Sequence, residues 1–508
     1  MKEVSVFETR IDRYIQYTKT PVARALILIP VLVWFFLNVL AADPDLFARV
    51  AMGRLVVSNF SVSITDPFSF APKKVLWIDH EWLSGVIFYV VSQLGGDYAL
   101  FIFKLLFALL TIGAIQKSSQ FSNKTPIPVL LFLYLALAIA FVWTSTVRAQ
   151  VFTYFSLALL FLCIRKYESS KRLIWLLFLP PLICFWANSH GGFVVGLGFF
   201  GVWFAFRVLS GFSRRLLLEG LILALAIFVT LINPYGLDYW LYLKEALSMP
   251  RPSITEWAPM NLFDSGCLYF HIFTVLTLAI VFRSHQKIPR YVLALLLVSY
   301  FYAFKHQRFG PIFVIVFWIY LAPHARDLFE YVKRFISQAF LLKLNRATFL
   351  AIVFWFTYTS VVSVNALVLN ASKFKLSYTG YPYLALDWLS ANRAGGKVLL
   401  DFNRGSFGLW RLYPKFTIAI DGRYEEVYPD TTIELASKAF QPETEAGVDA
   451  MNKLNPDFIV VDSGAKYLSP WMIAYKDEKF EIWEKAASNS IIFDYSTVQP
   501  RPMWKAMF

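Results

Sequence analysis

A chain of 508 residues that is 57% hydrophobic, 18% aromatic and only 16% charged carries too little polar surface to clothe a water-soluble core. Its formal charge of +14 lies wholly before residue 370, because residues 370 to 508 hold 16 Lys/Arg against 17 Asp/Glu. The basic excess therefore faces anionic lipid and excludes nucleic acid as the partner.

In chain order, apolar runs long enough to cross a bilayer of about 30 Å fall at 22–41, 98–116, 126–144, 149–165, 173–189, 192–209, 216–233, 267–283, 289–304, 309–325 and 348–369. With a cytoplasmic N-terminus, the inside segments hold 22 basic residues against about 10 outside, as the positive-inside rule requires. An odd number of spans then places the C-terminal region outside. The basic stretch 326–347 reads as an interfacial amphipathic helix. Cys163, Cys184 and Cys267 fall in or beside apolar runs and read as small hydrophobes.

This topology gathers the unusual polar chemistry on the outer face. The long first outer loop, 42–97, contains two semi-apolar stretches, 46–58 and 82–95, too short to span and expected to lie along the membrane surface. It opens Asp43-Pro44-Asp45 and later reads Trp77-Ile78-Asp79-His80-Glu81-Trp82. A carboxylate at the bilayer edge is costly unless it has a task or a partner. Asp45 suits a general base for an acceptor hydroxyl, and Asp43 with Asp45 suits a divalent metal held against a phosphate or diphosphate. An Asp-Pro turn with a helix N-cap accounts equally for Asp43 or Asp66.

Further along, Arg148 stands alone between two spans, and Asn188-Ser189-His190-Gly191-Gly192 sets a His at a glycine break. Ile254-Thr255-Glu256-Trp257 offers a second carboxylate beside an indole that suits a sugar stack or the aromatic belt. Lys305-His306-Gln307-Arg308 interrupts two apolar helices with cations, Lys305 reading equally as a snorkelling cap. Arg148 and Arg308 suit a lipid phosphate, with His80, Glu81, Asn188, His190, Glu256 and Lys305 around it. His80, His190 and His306 are metal ligands or polar-pocket histidines, with no i, i+4 pair among them.

Past residue 370 the pattern becomes that of a small α/β unit, 371–508. Strands are expected at 397–401, 416–421 and 457–462, and helices at 383–392, 430–440 and 444–453. Asp421-Gly422-Arg423 is either a charged tip or a structural turn.

The segments DPDLFARVAMGRLV, TDPFSF, WIDHEWLSGVIFY, VRAQVFTY, WANSHGG, NPYG, ITEWAP, KHQRFGP and IAIDGRYEE together resemble the bacterial GT-C-like membrane glycosyltransferases, over most of the chain from Asp43 onward. Two positions depart from the pattern. After DPDL many relatives carry two aromatics and a His where this chain has Phe47, Ala48 and Arg49, and many carry Arg-Pro where it has Arg148-Ala149. The resemblance implies an all-α polytopic membrane domain (1–370, about 11 transmembrane helices) bearing the α/β extracytoplasmic domain, in a bacterial inner membrane. It also implies transfer of a sugar from a polyprenyl phosphate to a glycan, lipid or protein acceptor, with Asp45 as catalytic carboxylate and Asp43 in support. A non-catalytic factor that binds or assembles lipid-linked glycans on the same scaffold is the alternative.

Overall fold

The computed structural model describes residues 43–119, 147–249, 251, 254–284, 287–324, 380–467 and 470–485, with scattered positions between 327 and 358. The expected spans 22–41 and 126–144 lie outside these residues, as do most of 348–369 and part of the amphipathic stretch 326–347. The described fold is mostly helical, with one mixed sheet in the C-terminal region.

The first helix, α1 (Pro44–Asn59), starts where the sequence carries start signals: Pro44 sits in its first turn, and the Asp43 side chain caps it by accepting the Asp45 N–H at 3.0 Å. Helix α2 (Trp82–Ser119) is broken at Gly95 and Gly96, the latter at φ 57, which separates the short stretch from the span as expected. Among the described residues α2 is the one helix both long and apolar enough to cross a bilayer. The bundle continues with α3 (Gln150–Ser170), α4 (Leu179–Ser189), α5 (Phe193–Leu209), α6 (Arg214–Phe228), α7 (Asp238–Ser248), α8 (Leu268–Arg283), α9 (Arg290–Lys305) and α10 (Gly310–Tyr320). Shorter apolar helices occupy Ile174–Ser189, Phe193–Leu209, Leu268–Arg283 and Gln307–Tyr320.

The C-terminal unit runs α11 (Tyr383–Asn392), β1 (Gly396–Leu399), α12 (Phe402–Leu412), β2 (Phe416–Ile418), α13 (Asp430–Lys438), α14 (Glu445–Leu454), β3 (Phe458–Asp462), β4 (Trp471–Lys476) and β5 (Phe480–Lys485). Strand order is β2-β1-β3-β5-β4, with β1 parallel to β2 and β3, and β5 antiparallel to β3 and β4. The long loop between α1 and α2 extends the β2 edge: Phe70 N–H donates to Ile418 O, and Ile418 N–H to Phe68 O, each at 3.0 Å. Thus an exposed strand edge is covered by a segment about 350 residues away in sequence.

Helix α1 does not lie free on a membrane surface. Its apolar residues Leu46, Phe47 and Val50 share one buried core with Phe407, Leu409 and Ile418 of the C-terminal unit, and Phe47 sets its ring edge-on against Tyr381 and Phe407. On its other side α1 crosses α2 backbone to backbone. A Cβ on Gly53 would sit 2.0 Å from the Gly85 carbonyl oxygen, and one on Gly85 would sit 2.7 Å from that of Arg49. The glycine crossing brings Arg49 down onto the start of α2, next to Glu81.

Candidate active site

Arg49 is buried where first loop, bundle and C-terminal unit meet. Its Nη1 donates to Asp79 Oδ1 at 2.9 Å, its Nη2 pairs with Glu426, and its Nε makes a charge contact with Glu81 Oε2 at 2.6 Å, outside hydrogen-bond geometry. Three buried carboxylates around one guanidinium would be untenable without it, because an unpaired buried charge costs several kcal/mol. A second hub lies beside it. Arg423 donates to Asp66 Oδ1 at 2.7 Å and chelates Asp421, so Asp421-Gly422-Arg423 is a structural turn clamped to the first loop.

Next to Arg49, His80 Nδ1 lies 3.2 Å from Glu426 Oε1, and its Nε2 lies 3.5 Å from Glu81 Oε1. Burial alone would depress His80, but the Glu426 and Glu81 carboxylates prevail and push its pKa up to about 10. Burial likewise acts to raise Glu81, yet Arg49, His80 and His190 hold it well below the usual carboxylate range. Asp79, the deepest of the three carboxylates, is pushed up to about 6 by burial and its acidic neighbours despite Arg49.

His190 differs from His80 although its Nε2 lies the same 3.5 Å from Glu81 Oε1. Its Nδ1 accepts the Gly192 N–H at 2.9 Å and lies 2.7 Å from the Thr153 hydroxyl. A backbone N–H only donates, so Nδ1 is bare and the ring is the neutral Nε2–H tautomer, aimed at Glu81. Burial, helped by the cations Arg308, His80 and Arg49, takes its pKa down to about 3. The two histidines that the sequence leaves equivalent are therefore an imidazolium and a neutral donor.

A chain of alternating charge continues from Asp45. Arg148 Nη2 donates to Asp45 Oδ2 at 2.7 Å, its Nε contacts Asp43 Oδ2 at 3.3 Å, and its Nη1 donates to Glu256 Oε2 at 3.1 Å. Glu256 Oε1 lies 3.6 Å from Arg308 Nη1, and Arg308 stacks over the Trp257 indole at 4.6 Å. Burial opposes the ionised form of Glu256, but Arg308 and Arg148 lower its pKa. Asp43 and Asp45 thus hold a guanidinium between them, and among the described residues no group of three or more His, Cys, Asp or Glu is arranged to hold a metal.

Of these groups His80, Glu81, His190, Trp257 and Arg308 border one large cavity of about 450 Å³. Its polar end is formed by His80, Glu81, Gln150, His190, Arg251 and Arg308; its apolar body follows α5 through Val194, Val195, Phe199 and Val202. A smaller crevice beside it shares Gln150, Tyr154 and Arg308, and is lined by Arg148 and Glu256. Asp45 lines neither; its Oδ1 faces Gly422, where a Cβ would sit 2.9 Å away.

Two of the residues singled out in the sequence face elsewhere. Asn188 serves the scaffold: its amide donates to Cys184 O and Ile232 O, each at 2.9 Å, and accepts from Trp82 Nε1 at 2.8 Å. Lys305 is exposed and lines neither cavity. His306 Nδ1 lies 2.6 Å from Trp257 O, fixing the turn that carries Glu256. Sequence reasoning missed Arg49, Asp79, Glu426 and Arg251. Arg49 carried a usable signal, since it and Arg54 are the two charges inside an otherwise apolar helical stretch.

No protein-family profile matches the chain. No curated protein matches it either. Among solved structures it is similar to the oligosaccharyltransferase of Archaeoglobus fulgidus, solved with zinc and sulfate, at 14% identity and a TM-score of 0.45, over 86% of this chain and 68% of that one. It is also similar to the arabinofuranosyltransferase AftD from Mycobacteria, at 12% identity and a TM-score of 0.49, over 91% of this chain; the match spans 40% of that longer protein.

Proposed function

We propose that the chain is a multi-pass membrane glycosyltransferase that moves a sugar from a polyprenyl-phosphate donor to a glycan, lipid or protein acceptor on the outer face of a bacterial plasma membrane. The observation that carries this reading is the two-ended cavity. A polyprenyl phosphate has one anionic end and one long apolar end, and the cavity is lined by cations and by an apolar wall along α5, from Val194 to Val202. At the 1.5 Å rise of a helix that wall is roughly 12 Å long, enough for the first isoprene units. The N-terminus is cytoplasmic in this reading, and the C-terminal unit lies outside, over the site.

The chemistry is an inverting displacement. The acceptor oxygen attacks the anomeric carbon while Asp45 takes its proton, and the sugar–phosphate C–O bond breaks with its electron pair going to the phosphate oxygen. Arg308 and the His80 imidazolium neutralise that charge, with the His190 Nε2–H as a further donor. Asp45 has one oxygen on Arg148 and the other facing Gly422, so the acceptor approaches from the side of the C-terminal unit. A general base contributes about 10² to 10⁴ in rate. Asp45→Asn is therefore expected to lose at least a hundredfold in transfer by membranes containing the folded protein; a loss of only a few-fold would remove Asp45 from this role.

One observation favours a non-catalytic lipid-glycan carrier instead: Asp45 lines neither cavity and is held by Arg148. A carrier retains polyprenyl-phosphate lipids on purification but yields no glycosylated product with any acceptor fraction. Asp45→Asn then leaves its cellular function intact.

A further inference from the structure

The end of the bundle opposite the candidate site carries a second cluster of charge. Helix α3 begins at Gln150 in the cavity wall and runs 21 residues to Ser170, roughly 31 Å at 1.5 Å per residue, so its far end lies about one hydrocarbon thickness away. There Glu219 of α6 ties three helix ends together. It is buried, accepts the Tyr167 hydroxyl of α3 at 2.5 Å and is chelated by Arg207 of α5, Nη2 to Oε1 at 2.9 Å and Nε to Oε2 at 3.1 Å. The turn after α3 is fixed as well, because the Lys171 N–H donates to Tyr167 O at 2.7 Å.

This knot gathers cations without neutralising them. Arg215 precedes Glu219 by one helical turn and shares its face, which sets it near the Tyr167 hydroxyl and the turn that holds Lys171 and Arg172. The carboxylates at this end are already engaged. Glu219 is held by Arg207 and Tyr167, Glu168 by Trp203, Tyr291 and Arg165, and Asp327 lies by His324. Lys166, Lys171, Arg172, Arg214 and Arg215 have no carboxylate partner among the described residues, and the last four are exposed.

The surface beside these cations is apolar. Leu209 and Phe212 of the turn between α5 and α6 are 77% and 78% exposed, and Ile174, on a short helix that packs against α6, is 50% exposed. A nucleic acid or a soluble acidic protein would leave those side chains in water. A phospholipid covers them with acyl chain while its phosphate meets the guanidiniums, and only a headgroup with net negative charge answers a cluster of one sign.

Resting on the multi-pass part of the proposed function, which puts this end at the inner leaflet, we infer that the corner between the α3 end and the α5–α6 turn is a binding site for an anionic phospholipid. Lys171, Arg172, Arg214 and Arg215 take the headgroup phosphate, and Leu209, Phe212 and Ile174 flank the acyl chains.

The test is native mass spectrometry of the purified protein in detergent, titrated with cardiolipin, phosphatidylglycerol or phosphatidylcholine. Both anionic lipids are expected to bind about tenfold or more tightly than phosphatidylcholine, with a preference that shrinks as salt is raised. A basic residue beside an anionic headgroup contributes about fivefold in affinity, so Arg214→Gln with Arg215→Gln is expected to weaken the anionic lipids by about tenfold or more. Phosphatidylcholine binding and the melting temperature in lipid-free detergent should stay as they are. Lys171→Gln with Arg172→Gln, on the separate turn after α3, should reproduce the loss and so distinguish a headgroup site from a defect in α6. Equal affinities for the three lipids, or an anionic preference kept by both double variants, would overturn the site while leaving the multi-pass reading in place. Recovery of the protein in the soluble fraction of cells would remove both.

Discussion

His80 of the loop between α1 and α2 and Glu426 of the C-terminal unit form a buried ion pair, Nδ1 to Oε1 3.2 Å, across 346 residues of sequence. It places a carboxylate of the C-terminal unit directly behind a cation of the cavity wall. The sheet domain is thereby part of the site's electrostatics.

The pair has a pH signature. His80 is raised from 6.5 to about 10, so its contribution to stability is complete below about pH 6.5 and is lost as pH rises through 10. In detergent-solubilised protein the melting temperature should exceed that of His80→Gln by its full margin at pH 6.5, and by a shrinking margin toward pH 10. A margin constant over that range would contradict the assignment of His80 as an imidazolium.

Arg49 contacts Asp79, Glu81 and Glu426 together. Arg49→Ala leaves buried carboxylates without their cation and is expected to cost about 3 to 5 kcal/mol, read as a fall in melting temperature and in yield. Adding Glu426→Ala removes one of the stranded charges and should recover at least about 1 kcal/mol. Additive losses in the double variant would mean that the two residues do not act as a pair.

Gly198 lines the cavity, and a Cβ there meets no heavy atom within 4 Å. Gly198→Leu should fill the apolar body without a clash, leaving the melting temperature within a few degrees while lowering co-purified polyprenyl lipid at least tenfold. Lipid retained at the unmodified level would show that the chain does not run along α5.

Much of the helical scaffold was legible because hydropathy reports burial in lipid or protein directly. The expected segment 149–165 is α3 at Gln150–Ser170, 192–209 is α5 at Phe193–Leu209, and 289–304 is α9 at Arg290–Lys305. Expected helix 383–392 matches α11 at Tyr383–Asn392, and all three expected strands are present. Helix α12 was not read, because FNRGSFGLWRL holds two glycines and has weak intrinsic helicity; the Asp401 cap and packing on α1 override propensity. Strand β5 was not read because both its faces are covered, so Glu481 is buried on Gly464 N–H and Lys476 and the alternation disappears. Nor does local pattern reveal Arg49 to Glu426 or Asp66 to Arg423, since each joins residues more than 350 positions apart. The separate electrostatic states of His80 and His190 lie beyond sequence altogether, as they depend on the Glu426 and Glu81 carboxylates around one ring and on burial and the Gly192 N–H at the other.

The most direct measurement is mass spectrometry of polyprenyl-linked sugars in a strain lacking this chain, complemented with the unmodified protein or with Asp45→Asn. A glycosyltransferase predicts that one lipid-linked sugar accumulates in the deletion, disappears with the unmodified protein and persists with Asp45→Asn. No accumulating lipid-linked sugar, or full rescue by Asp45→Asn, would contradict it.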